Sequence, residues 1–338
     1  MIDAGVRVIQ MDNSRRGLFG LCFITTHLIK TFRKEKPDIL HFFLPQAYML
    51  GTICSLVVPS ARRIMSRRSL NNYQFGHPIL KYIEYYLHRY MDVILGNSIR
   101  VIKQLQEEGI SHKNIGLIYN GIENTKLTVR YTQKEARENL KINDSALIFV
   151  VVANLIEYKG HDDLLVALGD ITDSLPHDWV LICVGRDNGY GAELYERSIR
   201  LGIHNHIIWV GQSMDVSVYN AAANIGILPS HEEGFSNSLL ECLVSGLPMV
   251  VTDVGGNSEA VVDGESGLVI PSKKPKKIAE ALLTLVNDID FRTRIGKEAR
   301  QRVEQEFSIE TCVEKYNCLY ANTMKDIFDY NSQSVVLK

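Results

Sequence analysis

Short apolar runs alternate with amphipathic stretches along the whole chain. Apolar runs of four to six residues bounded by polar residues predict buried strands, and apolar residues at helical spacing predict helices. Because strands that alternate with helices form parallel sheets, the pattern predicts an α/β protein. The elements predicted in the first half are strand Val6–Ile9, helix Phe19–Lys34, strand Asp38–Phe42, helix Ala47–Val57, strand Arg63–Met65, helix Pro78–Arg89, strand Asp92–Leu95, helix Ser98–Glu108 and strand Ile115–Tyr119.

A polar stretch over residues 124–144 interrupts the pattern and contains one short helical run. We therefore predict a first domain over residues 1–123, a second over 145–310, and a C-terminal helix and tail over 311–338. The elements predicted from the linker onward are helix Lys134–Leu140, strand Leu147–Val152, helix His161–Asp170, strand Val180–Val184, helix Ala192–Leu201, strand Ile207–Val210, helix Val216–Ala223, strand Ile225–Leu228, helix Asn237–Ser245, strand Met249–Thr252, strand Gly267–Ile270 and two or three further helices.

The composition fits a globular protein with room for two domains: 338 residues, 46% hydrophobic and 22% charged. None of the six cysteines forms a Cys-x-x-Cys pair, so neither a zinc site nor a disulfide framework is predicted, and a reducing cytoplasm fits. No N-terminal signal is visible. The longest apolar stretch, Ala47–Pro59, is too short to span a bilayer.

The charge is unevenly spread between the two halves. Residues 1–123 carry 16 basic and nine acidic residues, a net charge of +7, and the remainder carries 21 and 30, a net charge of −9. A basic first half suggests an anionic partner on that side, such as a lipid phosphate or an acidic membrane face. Solvated surface charge is the alternative, and the sequence leaves both open.

The loop after the predicted strand Ile225–Leu228 carries the strongest chemical signal. It leads through Ser230 and Glu233 into a predicted helix that begins at Asn237. A helix N-terminus presents unpaired backbone N–H groups, which bind anions. Glu233 in the loop and Glu241 about one turn into the helix would touch different parts of one ligand. Surface glutamates on an ordinary strand, loop and helix are the alternative.

The segment from Glu233 to Glu241 resembles the Glu-x7-Glu motif of retaining glycosyltransferase family 4, and residues 246–259 resemble that family's continuation. The resemblance implies the GT-B fold, in which two Rossmann-like domains with parallel sheets face a cleft. It implies a nucleotide-sugar donor, whose ribose Glu241 would bind and whose sugar Glu233 would contact. The groups implied to hold the diphosphate are Lys159 and the N–H groups of Gly234, Phe235, Ser236 and Asn237.

Other positions of the second domain match the family in part. Lys159-Gly160 matches a Lys-Gly pair that contacts the donor pyrophosphate, but Asn154 stands where the family has an arginine. Arg186, at the end of the next predicted strand, is a candidate for the missing charge. The resemblance also implies that the backbone around Gly211 contacts the nucleotide base.

The first domain matches the family less completely. The strand ending in His41 resembles one that ends in His-x-His, but Phe43 replaces the second histidine. His41 is therefore a catalytic candidate with a structural alternative. Arg67 and Arg68 follow a predicted strand, and two guanidinium groups suit an acceptor phosphate or carboxylate; a solvated turn is the alternative.

Family members begin with a strand, a Gly-rich loop, a helix and a second strand, whereas Val6–Ile9 resembles the family's third strand. We therefore expect a truncated N-terminal domain of lower stability than the second domain. In the family the first strand lies at the centre of the sheet. Without it, Val6–Ile9 would either pair with Asp38–Phe42 or lie at an unpaired edge.

The resemblance implies a retaining glycosyltransferase that moves a sugar, most simply from a UDP-sugar, to a glycan or lipid-linked acceptor in bacterial surface polysaccharide biosynthesis. We expect a cytoplasmic protein that contacts the inner membrane face through its basic half, with no cofactor and no nucleic-acid partner. Asp288 and Asp290 are interpreted as solvated charge, so no metal is expected.

Two alternatives are a nucleotide-sugar-binding remnant without transferase activity and a sugar-nucleotide epimerase on the same fold. A dehydrogenase is disfavoured because no Gly-x-Gly-x-x-Gly follows a predicted strand.

Overall fold

Two parallel sheets flanked by helices organise the chain in the computed structural model, which describes residues 5–10, 17–70, 76–123 and 130–321. This arrangement confirms the predicted α/β class. The first half contains helix α1 (Gly17–Glu35), strand β1 (Ile39–Phe43), helix α2 (Pro45–Ser55), strand β2 (Arg62–Arg67), helix α3 (Pro78–Leu87), strand β3 (Val93–Gly96), helix α4 (Ile99–Glu107) and strand β4 (Ile115–Leu117).

The second half begins with helix α5 and alternates as predicted. Its elements are α5 (Gln133–Leu140), β5 (Ile148–Val152), α6 (His161–Ile171), β6 (Val180–Val184), α7 (Gly191–Arg200), β7 (Ile207–Gly211), α8 (Ser217–Ala222), β8 (Ile225–Leu228), α9 (Asn237–Val244), β9 (Met249–Thr252), α10 (Asn257–Ala260), β10 (Leu268–Ile270), α11 (Pro275–Asn287), α12 (Ile289–Glu306) and α13 (Ile309–Ala321).

The second sheet has the order β10-β9-β8-β5-β6-β7, and every pair is parallel. Its strands are near-continuous apolar runs because helices cover both faces, with Phe149 and Val151 in one core cluster and Ile148 and Val150 in the other. The chain runs outward from β5 to β7 and then returns to β8 beside β5. Such a reversal opens a crevice at the carboxyl ends of the strands, where ligands of open α/β sheets bind.

The first sheet has the order β1-β2-β3-β4, and the last described helix, α13, covers one of its faces. One face packs against its own helices through residues such as Phe42 and Ile94. On the other face Ile64 and Leu95 pack with Leu319 of α13. Arg62 Nη1 also donates a hydrogen bond to the Leu319 carbonyl oxygen (2.6 Å). The C-terminal helix therefore leaves the second sheet and completes the core of the first.

Val6–Ile9 does not form a strand, which corrects the prediction. Its apolar side chains are about half exposed, and Arg7 pairs with Glu35 of α1 (2.6 Å). The segment pairs with no strand of the described chain, so β1 lies at the edge of the first sheet there. Alternating apolar residues favour an extended chain, but a strand also needs a neighbour for its backbone hydrogen bonds.

Residues 124–129 of the predicted linker and 322–338 of the predicted tail lie outside the described residues, and the domain boundaries stay a prediction. Within the described ranges, no helix combines the length and apolar content needed to cross a bilayer.

Leu319→Ala should destabilise the first sheet, because it leaves a cavity beside Ile64 and Leu95. We expect a loss of about 2–4 kcal/mol in the free energy of unfolding of that sheet. Hydrogen exchange should show faster exchange in β2 and β3 and unchanged exchange in β5 and β6. The control is Val313→Ala, which truncates a half-exposed side chain of the same helix. Equal acceleration in both sheets would contradict the assignment of α13 to the first core.

Candidate functional site

The loops at the carboxyl ends of β5, β6 and β7 meet the N-terminus of α9 around one cavity of about 510 Å³. The cavity brings together three residues singled out in the sequence, Asn154, Lys159 and Arg186, with Ser238 of α9. The remaining lining residues are Val152, Ala153, Val184, Gly185, Gln212, Ser213 and Val216. This is the crevice that the strand order predicts.

Lys159 and Glu233 form an ion pair at this edge. The ammonium nitrogen lies 2.6 Å from Glu233 Oε1, and Ser230 Oγ donates to the same oxygen (2.8 Å). Glu233 is buried and Lys159 is half-buried, so the pair is shielded from solvent. The cation and the carboxylate predicted to contact different parts of one ligand therefore contact each other.

Further contacts hold the two loops of this pair together. His231 donates its backbone N–H to the Tyr158 carbonyl oxygen (2.7 Å), and its ring Nε2 lies 2.7 Å from Asp163 Oδ2. Gly160 has a left-handed φ of 72°, and a Cβ there would collide with the Pro229 carbonyl oxygen. The close approach of these backbones requires glycine before α6.

Asn154 anchors the loop that carries Arg186. Its side-chain oxygen accepts a hydrogen bond from the Arg186 backbone N–H (3.0 Å), and Arg186 Nε donates to Asn188 Oδ1 (3.1 Å). The Gly211 carbonyl oxygen accepts from the Gly185 N–H (2.9 Å) in the same layer of loops. Asn154, which stands where the family has an arginine, thus contacts Arg186, the residue proposed from the sequence to supply the missing positive charge.

Glu241 lines a second cavity of about 320 Å³, which shares Ser213 and Val216 with the first. The two cavities adjoin at Ser213 and Val216, with Lys159 lining one and Glu241 the other, and we refer to the pair as the groove. The sequence analysis did not identify Ser213 and Val216 as site residues. Their position just after β7 was the only sequence feature that could have indicated it. The other residues of the second cavity are Arg130, Met214, Asp215, Ser217, Asn220, Val244 and Ser245.

The N-terminus of α9 begins as predicted. Ser236 is the N-cap, and its Oγ accepts from the Leu239 N–H (3.3 Å). The buried Phe235 ring packs against Tyr119 and Phe307, with centroids 4.9 and 5.1 Å away, so its side chain serves packing. Only the backbone of Phe235 is available for the predicted anion contact.

Asn120 joins the first domain to α9. Its Nδ2 donates to the Phe235 carbonyl oxygen and to Asn237 Oδ1, both at 2.8 Å, and its Oδ1 accepts from Arg68 Nη2 (2.7 Å). A Cβ on Gly234 would collide with the Arg68 carbonyl oxygen. Sequence reasoning interpreted Asn120 only as a turn residue, since nothing local indicates partners 115 and 117 residues away.

Glu259 is a second contact between the halves that the sequence did not indicate. Its carboxylate accepts from the N–H groups of Ile99 (2.8 Å) and Arg100 (3.3 Å) at the start of α4, and Arg100 pairs with Asp253 (2.9 Å). Burial raises the pKa of Glu259. The positive end of the α4 dipole favours the carboxylate there.

His41 lies in the first domain and lines neither cavity of the groove. Its Nε2 is 2.7 Å from Ser66 Oγ, its Nδ1 is 2.8 Å from Tyr320 Oη, and the Phe43 ring stacks on it. Burial lowers the pKa of His41 to about 4, so the ring is neutral at pH 7. Both nitrogens have hydroxyl partners, and a catalytic role stays a prediction.

Arg67 and Arg68 differ in their surroundings. Arg67 is buried between Glu108 (2.6 Å) and Glu84 (2.8 Å), which supports a structural role. Arg68 is exposed. Both line a third cavity, of about 210 Å³, together with Leu44, Pro45, Tyr48, Met65, Ser66, Ser69 and Glu84. This cavity lies at the carboxyl ends of β1 and β2.

Asp288 and Asp290, which the sequence analysis interprets as solvated charge, lie at the start of helix α12. Asp288 is the N-cap of α12 and accepts from the Phe291 N–H (2.8 Å). Within the described ranges, no three His, Cys, Asp or Glu side chains cluster closely enough to hold a metal ion. A reaction without metal stays a prediction.

Sequence comparison identifies the class of protein. Residues 132–302 match the family described as glycosyl transferases group 1, and residues 4–126 match glycosyltransferase family 4. The chain belongs to the glycosyl transferases group 1 family. It is a family 4-like glycosyltransferase, as its motif predicted.

Two relatives act in surface polysaccharide synthesis according to their names. The capsular polysaccharide biosynthesis glycosyltransferase CapM of Staphylococcus aureus is 26% identical over 88% of this chain and 80% of its own length. The lipopolysaccharide core biosynthesis mannosyltransferase LpsB of Rhizobium meliloti is 25% identical over 71% of this chain and 68% of its own length. The chain spans only 57–61% of some other relatives.

Solved structures share the fold. The crystal structure of Anabaena Alr3699/HepE in complex with UDP-glucose matches 91% of this chain and 84% of its own, with a TM-score of 0.82 and 20% identity. The predicted GT-B fold is confirmed.

Lys159→Ala should weaken the binding of UDP more than that of UMP, because only the diphosphate has the outer phosphate that the ammonium is predicted to contact. The loss for UDP should be about 1.5–3 kcal/mol, as for hydrogen bonds to charged groups. Titration calorimetry measures both ligands. Lys276→Ala, which changes an exposed lysine of α11, is the control. Equal losses of affinity for UDP and UMP would show that Lys159 does not contact the outer phosphate.

Glu241→Gln should weaken UDP binding with the fold intact, since a charged acceptor for ribose hydroxyls is lost. The expected cost is about 1.5–3 kcal/mol. The same loss should occur for UMP, which carries the same ribose, and this separates Glu241 from Lys159. Glu298→Gln, at an exposed position of α12, controls for the change in net charge. Unchanged affinity for both nucleotides would exclude Glu241 from the site.

Proposed function

We propose that the protein is a retaining glycosyltransferase that transfers a sugar from a UDP-sugar to a glycan or lipid-linked acceptor in surface polysaccharide biosynthesis. One observation carries the proposal: two adjoining cavities are lined by Lys159, the first turn of α9 and Glu241, and the buried Glu233 carboxylate contacts Lys159 at their edge. The donor class is supported by the UDP-glucose complex of Alr3699/HepE, and the process by the names of CapM and LpsB.

The donor would extend along the groove. Glu241 accepts hydrogen bonds from the ribose, and the backbone near Gly211 contacts the base. Lys159 and the backbone N–H groups at the start of α9 hold the diphosphate, since a helix N-terminus and an ammonium both favour negative charge. Arg186 supplies the second cation from a loop anchored by Asn154.

Glu233 contacts the donor sugar in this proposal, and its pairing with Lys159 has a chemical consequence. The ammonium lies against one carboxylate oxygen, so a bound diphosphate would share it with Glu233. The cation then holds the sugar-binding carboxylate and the leaving group in fixed relative positions. Groups fixed in advance stabilise developing charge without reorganising during the reaction.

The transfer itself needs no second catalytic carboxylate. The acceptor hydroxyl oxygen forms a bond to the anomeric carbon while the bond from that carbon to the diphosphate oxygen breaks. The acceptor proton passes to the departing diphosphate on the same face of the sugar, which retains the anomeric configuration. Retaining hydrolases instead use two carboxyl groups. His41, neutral at pH 7, remains the candidate on the acceptor side.

The acceptor would enter at the third cavity. Arg68 offers an exposed guanidinium there, and Leu44 and Pro45 offer apolar surface. A cation beside apolar side chains suits the phosphate and the first isoprenoid or acyl carbons of a lipid-linked acceptor. The basic charge of the first half supports a peripheral contact with the inner membrane face.

Nucleotide-sugar binding without transfer is the second candidate function. The engagement of both His41 nitrogens by hydroxyl groups favours it. The chain would then bind a nucleotide sugar as tightly as an active glycosyltransferase does, but it would form no product.

The decisive experiment incubates the purified chain with UDP-sugars and either a polyprenyl-phosphate-linked sugar or a free oligosaccharide. We expect a product whose anomeric configuration, measured by NMR, equals that of the donor. EDTA should leave the rate unchanged, because cations of the protein neutralise the diphosphate. An inverted product would refute the retaining mechanism, and strong inhibition by EDTA would refute the metal-free one. Donor binding without product would support the second candidate, and donor isomerisation without acceptor would indicate an epimerase.

A further inference from the structure

A fourth cavity, of about 420 Å³, lies at the edge of the second sheet opposite to Lys159 and Glu233. Asn224, which directly precedes β8, and Pro248, which directly precedes β9, both line it. The amino ends of these two strands therefore form part of its wall, whereas the groove opens at their carboxyl ends. We refer to this space as the amino-edge cavity.

The amino-edge cavity is cationic. Its lining residues include two arginines, Arg130 and Arg292, and no acidic residue. Arg130 pairs with Asp215, which lies outside this cavity, at 3.0 Å, and both side chains are about half exposed. Because an exposed ion pair contributes little free energy, an anionic ligand can compete for Arg130.

Arg292 is the more buried of the two cations. Its Nη1 donates to the Leu285 carbonyl oxygen (3.2 Å), and no carboxylate of the described residues forms an ion pair with it. Burial lowers the pKa of the Arg292 guanidinium. A half-buried charge without a counter-ion is unfavourable, so a bound anion would supply the partner that the described chain does not.

Fixed polar groups surround the two arginines. Asn224 Oδ1 accepts hydrogen bonds from Arg137 Nη2 (2.9 Å) and from the Ile148 N–H (2.8 Å), which leaves its Nδ2 to donate to a ligand. Gln133 Nε2 donates to the Ala223 carbonyl oxygen (3.2 Å), which leaves its Oε1 to accept. One donor and one acceptor held in place suit the hydroxyl groups of a polyol.

The size and the chemistry of the amino-edge cavity together indicate a class of ligand. Pockets of roughly 300–1,000 Å³ hold small molecules, and this cavity lies at the small end of that range. A guanidinium group binds phosphate oxygens through paired hydrogen bonds. Tyr131 and Ala221, both half-buried, offer apolar surface to a carbon skeleton. A sugar phosphate combines an anion, hydroxyl groups and a short carbon skeleton.

The amino-edge cavity adjoins the groove without including its ligand-binding carboxylate. Asn220 and Ser245 line both this cavity and the second cavity. Asn220 Nδ2 (3.3 Å) and Ser245 Oγ (2.9 Å) both donate to the backbone carbonyl oxygen of Glu241, whose side chain lines only the second cavity. Neither Glu241 nor Lys159 lines the amino-edge cavity, so one ligand can occupy each site.

We propose that the amino-edge cavity binds a small sugar phosphate while a nucleotide occupies the groove. Arg292 binds the phosphate, Arg130 adds positive charge, and Asn224 and Gln133 bind hydroxyl groups. The site lies on the opposite edge of the sheet from the proposed reaction, so its ligand is neither donor nor acceptor. The inference does not depend on transferase activity.

The test titrates the full chain with ribose 5-phosphate in a calorimeter, first alone and then with UDP at saturation. We expect one molecule of ribose 5-phosphate to bind to the UDP-saturated chain, and ribose without the phosphate to show no binding. Arg292→Gln should weaken the binding of ribose 5-phosphate about tenfold or more, because a hydrogen-bonded charge is lost. Arg292→Lys, which keeps the charge, should restore part of the affinity. Both variants should bind UDP like the wild type.

The matched control is Arg294→Gln. Arg294 is an exposed residue of the same helix, α12, and does not line the amino-edge cavity. Its replacement removes the same charge and should leave the binding of ribose 5-phosphate unchanged. Gln133→Ala, at an exposed position, tests the cavity without changing a charge and should weaken ribose 5-phosphate about two- to tenfold. Thermal unfolding of each variant at the wild-type temperature would show that it is folded.

Four outcomes would overturn the proposal. The wild type fails to bind ribose 5-phosphate, or UDP at saturation abolishes that binding, which would place the ligand in the groove. Ribose binds as tightly as its phosphate, which would exclude recognition of the anion. Arg292→Gln weakens UDP as much as ribose 5-phosphate, which would assign the amino-edge cavity to the donor nucleotide. A chain that binds ribose 5-phosphate but not UDP would refute the proposed function alone, and the Arg292 and Arg294 variants would still test the cavity.

Discussion

The close contact between the Gly234 backbone and the first domain is the constraint on which the groove depends. A Cβ at Gly234 would collide with the Arg68 carbonyl oxygen, and the Gly234 carbonyl oxygen accepts from the Gly256 N–H (2.6 Å). The loop that carries Glu233 and leads into α9 is therefore held between two parts of the chain. A side chain at residue 234 would separate them and move both the carboxylate and the helix N-terminus.

Buried charged groups in both halves of the chain are largely paired with other groups of the protein. Glu233 contacts Lys159, Glu259 caps α4, and the buried Arg67 lies between two glutamates. Burying a charge is costly unless partners and hydrogen bonds surround it, so these pairs fix side-chain positions. Exposed cations such as Arg68 and Arg186 remain where anionic substrates would arrive.

Residues that are distant in sequence complete the core of the first domain and contact His41. Leu319 completes its core and Tyr320 contacts His41, so helix α13 supports both the sheet and the position of the His41 ring. On the opposite side of this arrangement, α3 separates a buried carboxylate, Glu84, from an exposed apolar and cationic face. The same helix lines the third cavity with Glu84 and exposes Ile79 and Tyr82 to solvent.

The sequence by itself determined the fold class, strands such as Val180–Val184 and Ile225–Leu228, and the loops that carry Lys159 and Glu233, because apolar runs and helix caps are local signals. Tertiary structure decided which side chains meet. The Lys159–Glu233 pair joins residues 74 positions apart, and Glu259 reaches Ile99 across 160. It also decided that Val6–Ile9 is no strand, since strand formation requires backbone partners that local sequence does not specify.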